Sequence, residues 1–272
     1  MSPSSMEGSE RREIYRFSNG SRVREFDFIA SESSLKISLI DHNETKHNLG
    51  ITMRTIGNDR ELVTGFLYGE GIIHDLSDIE DIDVGEQEVL VRLSNTATFD
   101  PSIHIRTSTV TSACGICGRM TTEGFMEMEY PQVSEELKIP IDIINNCINT
   151  MEDYQGLFSK TGGSHGCASF DINGVLMHVF EDIGRHNAMD KLVGSHIFQG
   201  DVPFGHGFVI VSGRASYELV QKSIRAGFSA IIAIGAPSTL AVDLAKEYGL
   251  TLACFAKIDS LNIYSGARRI EL

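Results

Sequence analysis

Two cysteines, Cys114 and Cys117, stand two residues apart in Thr111-Ser112-Ala113-Cys114-Gly115-Ile116-Cys117-Gly118-Arg119, each followed by glycine. Thiols at that spacing can clamp a metal, cycle through a disulfide, or carry a sulfur atom on one thiolate while the other resolves it. The glycines permit positive φ and close backbone approach, so the segment reads as a tight exposed loop. A free thiol titrates near pH ~8.5, so reactivity demands exposure and a nearby positive charge, for which Arg119 is the local candidate. The other thiols, Cys147, Cys167 and Cys254, are scattered irregularly and bring the total to five, an odd number. They read as small buried hydrophobes, and no disulfide framework is expected.

Three further segments concentrate polar chemistry. Val211-Ser212-Gly213-Arg214-Ala215-Ser216 runs from an apolar strand towards a helix and offers Ser212, Arg214 and Ser216 at one turn, a set suited to a phosphate. The plainer alternative is that a serine caps the helix and Arg214 pairs with Glu218 four residues on. Glu181-Asp182-Ile183-Gly184-Arg185-His186-Asn187-Ala188-Met189-Asp190-Lys191 has the same placement, with Arg185, His186 and Asn187 presenting three different donors. Asp190 and Lys191 read as a surface pair. Thr161-Gly162-Gly163-Ser164-His165-Gly166-Cys167 is a third glycine-rich loop, and a zinc quartet of Cys114, Cys117, His165 and Cys167 is an open alternative with untypical spacing. Deaminase chemistry is not indicated, since Ala113 rather than proline precedes Cys114 and His104 lacks the H-x-E pattern. A thioredoxin-like motif also fits poorly, because Gly118 follows the second cysteine, although thiol exchange as chemistry remains open.

These residues need elements to hold them. Up to about residue 95 the chain alternates as strands do, in Arg24-Glu25-Phe26-Asp27-Phe28-Ile29 and Leu35-Lys36-Ile37-Ser38-Leu39-Ile40, around a helix at residues 59–69. In that helix Leu62, Phe66 and Leu67 form an apolar stripe suited to packing on a sheet. Beyond it, strands at residues 167–172, 175–180, 208–211, 230–234 and 251–255 alternate with helices at 141–151, 187–194, 215–226 and 239–248. The pattern predicts an α/β fold: a small α+β domain over residues 13–105, then a layered α/β domain over 106–272 with a largely parallel sheet. In such domains ligands gather beyond the carboxyl ends of strands, where the polar turns fall.

Composition narrows the function classes. The formal net charge is -14, which opposes general nucleic-acid binding while allowing a nucleotide bound locally. Residues 70–88 hold eight Asp or Glu and no Lys or Arg, read first as a solvated face. The opening residues are polar, with no secretory pattern, and no apolar run approaches the roughly 20 residues of a membrane span. A reducing cytoplasmic setting is expected.

Taken together the chain resembles the formate dehydrogenase accessory sulfurtransferase family, FdhD, over nearly its whole length. The resemblance rests on Met53-Arg54-Thr55 running to Gly65-Phe66-Leu67-Tyr68-Gly69-Glu70-Gly71-Ile72-Ile73, on Ser112-Ala113-Cys114-Gly115-Ile116-Cys117-Gly118, and on Thr161-Gly162-Gly163-Ser164-His165. It rests also on Glu181-Asp182-Ile183-Gly184-Arg185-His186-Asn187-Ala188 with Asp190-Lys191, and on Ser212-Gly213-Arg214-Ala215-Ser216 running to Ala236-Pro237. It implies a sulfur carrier that takes persulfide sulfur from a cysteine desulfurase. The acceptor would be the molybdenum bis-molybdopterin guanine dinucleotide cofactor of formate dehydrogenase. Cys114 maps onto the persulfide cysteine and Cys117 onto the second motif cysteine. The family's cofactor-contacting segment, which follows the last strand, maps onto Ala256, Lys257, Ile258, Asp259, Ser260 and Leu261, without the proline and glycine usual there. Thr55-Ile56-Gly57 departs from the usual Thr-Pro. The resemblance further implies a cytidine-deaminase-like second domain without deaminase ligands, a homodimer, and no resident metal.

Overall fold

The computed structural model describes residues 8–97, 99–104, 130–131, 133 and 137–271. Cys114, Cys117 and Arg119 lie outside the described residues. The chain opens with a hairpin of β1 (Ser9–Ser18) and β2 (Ser21–Ala30), turned at Asn19-Gly20 with both residues at positive φ, the conformation a two-residue hairpin requires. A four-stranded sheet follows, made of β3 (Ser33–Ile40), β4 (Lys46–Arg54), β5 (Ile79–Val84) and β6 (Glu88–Leu93) in the order β4-β3-β6-β5. Leu35, Ile37 and Leu39 are fully buried on β3 and alternate with Lys36 and Ser38, so one face of this sheet is core. Helix α1 (Asp59–Gly69) lies between β4 and β5, and a short α2 (Pro101–His104) ends this half.

The second half begins with β7 (Ile139–Pro140), α3 (Ile141–Tyr154) and α4 (Gly156–Thr161). It continues with β8 (His165–Asp171), β9 (Leu176–Asp182), α5 (Arg185–Gln199), β10 (Gly207–Val211) and α6 (Tyr217–Arg225). The last elements are β11 (Ala230–Ala233), α7 (Thr239–Glu247), β12 (Thr251–Lys257), β13 (Ser260–Ser265) and β14 (Ile270–Glu271), the last paired with β7. The central sheet has the order β13-β12-β11-β10-β8-β9. The expectation of a largely parallel sheet needs correction. The pairs β10 with β11 and β11 with β12 are parallel, whereas β8 with β9, β8 with β10 and β12 with β13 are antiparallel. Connection length is the reason. The turn after β8 closes on Asp171, whose carboxylate accepts from the amides of Asn173 and Val175, and β12 returns through Ile258 and Asp259, links too short for a parallel crossover.

Residue alternation divides the core between the two faces of this sheet. Ala168, Phe170, Phe208, Ile210, Ala230, Ile232 and Ala253 pack with Ile144, Cys147, Ile148 and Met151 of α3 on one face. Cys167, Val209, Val211, Ile231, Ala233 and Leu252 face the other way, into a cluster shared with α5, α6, α7, α1 and the buried face of the four-stranded sheet. The apolar core therefore continues across residue 105. Helix α1 is buried from Leu62 to Gly69, not merely along the stripe its sequence suggests. The second contact is with α5: a Cβ built on Gly65 would stand 1.9 Å from the carbonyl oxygen of Asp190, and one on Gly194 1.9 Å from that of Glu61. No helix among the described residues is long and apolar enough to cross a membrane.

Candidate functional site

The polar turns converge on one edge of the central sheet. His165 opens β8 opposite Asp182 at the end of β9, and Cys167 stands opposite Val211 at the end of β10, so the antiparallel neighbours bring His165, the Arg185 turn and the Ser212 turn together. Beside them, the turn after β11 runs alongside the turn after β10: Gly235 donates to the carbonyl of Gly213, Ala215 to that of Ala236, and Ser238 to that of Ala215. A side chain on Gly235 would stand 2.8 Å from the Arg214 nitrogen, so glycine is what lets the two turns touch. Both turns end in a serine N-cap, Ser216 accepting from the Leu219 amide and Ser238 from that of Ala241.

Beneath this edge lies a buried polar frame. Asp182 is fully buried and ion-paired to Lys191 at 2.7 Å. Its carboxylate also accepts from the amides of Thr55 and Gly184 and from Asn187 Nδ2. Lys191 donates to the carbonyl of Thr55, Asn187 Nδ2 to that of Met53, and Thr52 Oγ1 to Asn187 Oδ1. Arg54 is likewise buried and bidentate on Asp59, at 2.8 and 2.9 Å. The Met53-Arg54-Thr55 segment is thereby locked onto the start of α5. Glu181 caps the preceding helix, accepting from the amides of Leu157 and Phe158 at the start of α4 and from Ser164 Oγ.

On this frame stands a cationic cluster. Gly213 lies close against His165: a Cβ built there would stand 3.3 Å from its Nδ1 and 3.9 Å from Arg185 Cδ. Burial, with Arg185, His186 and Arg214 close by, pushes the His165 imidazole below its ordinary range, only partly offset by Asp182. Arg185 opens α5 and its buried Nε–H has no hydrogen-bond partner. Arg214 is exposed and makes no ion pair among the described residues. Its expected partner Glu218 instead meets His186 Nε2 at 2.8 Å, and Ser216 Oγ lies 3.3 Å from the same nitrogen. Two guanidinium groups, a helix start and an orphan buried donor, brought together by two adjacent turns, make a setting for an anion.

The sequence-derived candidates therefore separate. Arg185, His186, Arg214 and Ser216 come together, and His165, which the sequence offered only as a zinc ligand, joins them. Ser212 serves the frame, accepting from the Gly166 amide at 2.9 Å. Asn187 is buried with both ends of its amide engaged inside the protein. Asp190 and Lys191 are not the surface pair their spacing suggests; both are buried, Lys191 on Asp182 and Asp190 on Lys222. The mapped segment does not follow the last strand. Ala256 and Lys257 end β12, Ile258 and Asp259 turn, and Ser260 and Leu261 begin β13. Ala256 is buried against the α3 face, and Asp259 exchanges hydrogen bonds with Asn145 of α3. Lys257 and Ile258 are exposed at the tip. Cys167 is buried with its thiol towards Met189, and burial pushes that thiol well above its usual range, which removes it from an accessible zinc quartet. Cys147 and Cys254 are buried too, each pushed up to about 12. Sequence reasoning missed the Asp182–Lys191 pair; the signal was an aspartate ending a strand two residues before a glycine.

Comparison with known proteins places this geometry. The model of the FdhD/NarQ family matches residues 30–271, starting at the last residue of β2. The sulfur carrier protein FdhD of Sulfolobus acidocaldarius is 38% identical over 95% of this chain and 97% of its own length. That of Streptomyces coelicolor is 36% identical over 97% and 96%. The crystal structure of a protein assigned as a formate dehydrogenase accessory protein, from Desulfotalea psychrophila, superposes with a TM-score of 0.79 at 25% identity, covering 97% of this chain and 100% of that one.

Proposed function

The chain belongs to the FdhD/NarQ family, and from that premise we propose that it is a cytoplasmic sulfur carrier, a sulfurtransferase serving formate dehydrogenase. In this reading the Cys114 thiolate attacks the outer sulfur of a cysteine desulfurase persulfide, the desulfurase thiolate leaves, and Cys114 holds the sulfur as its own persulfide. Cys117 acts as the resolving thiol. Its thiolate attacks Cys114 Sγ, closes a Cys114–Cys117 disulfide and releases the outer sulfur as hydrosulfide towards the acceptor. That acceptor is the molybdenum bis-molybdopterin guanine dinucleotide, treated as substrate. The same reading takes the central sheet and its helices as a cytidine-deaminase-like layer, and the working protein as a homodimer.

The observation that supports it best is the cationic edge around Gly213. In a chain of net charge -14, Arg185 and Arg214 gather at one pair of strand-to-helix turns, beside His186 and a His165 imidazole held below its ordinary range, and Arg185 keeps a buried donor without a protein partner. A guanine dinucleotide brings pyrophosphates to such an edge, and guanidinium groups suit them. The exposed tip at Lys257 and Ile258 lies on the same side of the sheet, at the end of β12, and supplies a second contact for so long a substrate. The test is mass spectrometry of the intact protein after incubation with a cysteine desulfurase and cysteine. One added sulfur on Cys114, absent in Cys114→Ser, is the expected result; no gain at either loop thiol overturns the reading.

A further inference from the structure

The β1–β2 hairpin takes no part in the chemistry above, yet its surface is built for contact. It is anchored at its base, where Gly8 lies against Thr55 and Leu157 and Lys160 sits 3.7 Å over the Phe28 ring. From there two ten-residue strands extend roughly 30 Å. A two-stranded ribbon is at best marginal in water, and this one leaves Tyr15 57%, Phe17 76% and Phe26 57% exposed. The register puts all three on one face: Phe17 stands opposite Arg22, Tyr15 opposite Arg24, Glu13 opposite Phe26 and Arg11 opposite Phe28. On that face Arg24 pairs with Glu13. Arg11 and Arg22 make no ion pair among the described residues and lie over the rings of Phe26 and Tyr15, at 4.0 and 5.2 Å. The opposite face is not cationic, since Arg12 pairs with Glu10 and Arg16 with Glu25, leaving Asp27 over.

A complementary surface exists on the same chain. Strand β5 is the edge of its sheet, and Glu80, Asp81, Asp83 and Glu86 along it and in its turn are exposed and in no ion pair among the described residues. Glu80 and Asp81 act electrostatically on Arg92, but its guanidinium is already held by Glu44 at 2.6 Å. Val84, 43% exposed, gives the edge an apolar spot.

We propose that the aromatic–arginine face of the hairpin docks on the acidic β5 edge of a second copy of this chain, in a reciprocal exchange of arms. The proposal rests on the homodimer reading above and names its contact. Charge selects this arrangement over hairpin against hairpin, because two faces that each carry uncompensated Arg11 and Arg22 repel. A two-fold exchange uses the contact twice, and aromatic residues with arginine are the types that carry interfaces.

Sedimentation equilibrium on the full chain tests it, with two charge-reversed proteins, R11E/R22E and D83K/E86K. Both sets are exposed and outside the buried core, so unchanged far-UV circular dichroism is expected. The wild type should be dimeric at low salt and weaken as salt rises. Each variant alone should dissociate at least ~10-fold more readily, while an equimolar mixture returns to wild-type association, because both contacts in the mixed dimer again join opposite charges. Persistence of the dimer in R11E/R22E overturns the arm and leaves the dimer reading intact. A dimer in D83K/E86K, with R11E/R22E monomeric, overturns the β5 edge as the docking site. A monomeric wild type overturns both the arm and the dimer, and persulfide formation on Cys114 reports separately on the sulfur-carrier reading.

Discussion

Asp182 is a carboxylate without solvent, and what surrounds it decides whether the cationic edge keeps its shape. Its negative charge is balanced by one cation, Lys191 at 2.7 Å, and by the amides of Thr55 and Gly184 and the side chain of Asn187. Removing the cation leaves a buried charge with hydrogen bonds but no counter-ion, a change that costs about 3–5 kcal/mol in proteins generally. Lys191→Met is expected near the lower end, about 3 kcal/mol, because three donors remain. A urea unfolding midpoint will show it, and a loss under about 1 kcal/mol would mean that water enters and replaces the lysine. Little of this was legible in the sequence. Asp190 and Lys191 are adjacent in a helix and look like a surface pair, yet they diverge to partners 32 and 9 residues away. Nothing local reveals that α5 is buried on several sides. Arg185, His186, Arg214 and Ser216 were legible, because a polar cluster following an apolar strand is a property of consecutive residues. His165 joins them through strand pairing that no local pattern encodes.

At the scale of elements, α1 and α5 cross so closely that neither tolerates a methyl group at the contact. The obstacle at Gly65 and Gly194 is backbone, the carbonyls of Asp190 and Glu61 at 1.9 Å, and backbone cannot rotate aside. At Gly69 the nearest atom is the end of a lysine side chain, Lys222 Nζ at 2.9 Å. Alanine gains about 1 kcal/mol over glycine in helix propensity, against about 1–3 kcal/mol or more for over-packing. Gly65→Ala and Gly194→Ala are therefore expected to lower stability by about 2 kcal/mol or more, and Gly69→Ala by clearly less. Thermal melting of the three variants gives the order, and equal losses would show that the helices can separate without penalty. The helix over residues 59–69 was readable because its apolar spacing is local. The purpose of its glycine was not, since the partner helix lies more than a hundred residues on. For the same reason β13 escaped: Ser260-Leu261-Asn262-Ile263-Tyr264-Ser265 alternates, but its polar half reads as loop until β12 is placed beside it.

Across the whole molecule the question is whether the two sheets fold as one body. The charge runs and the change of pattern near residue 95 suggest two units, but apolar burial joins them. Leu62, Phe66 and Leu67 belong to one cluster with Ala188, Met189 and Leu192. Burying each such large side chain contributes about 1.5–3 kcal/mol, so three of them rival the roughly 5–15 kcal/mol that holds a domain together. Polar ties cross the same boundary: Tyr68 Oη donates to the carbonyl of Arg225 at 2.8 Å, Arg225 Nε donates back to the carbonyl of Tyr68, and Lys191 reaches Thr55. The halves are then expected to open together. Hydrogen exchange read by mass spectrometry along a urea series compares amides of β3 and β6 with those of β10 and β11. Coincident transitions are the expected result, because opening the four-stranded sheet strips α1 from α5 and exposes the support of the Arg185 turn. If β3 and β6 exchange at lower urea while β10 and β11 stay protected, the shared cluster does not couple the sheets. The cationic edge would then owe its shape to the central sheet alone.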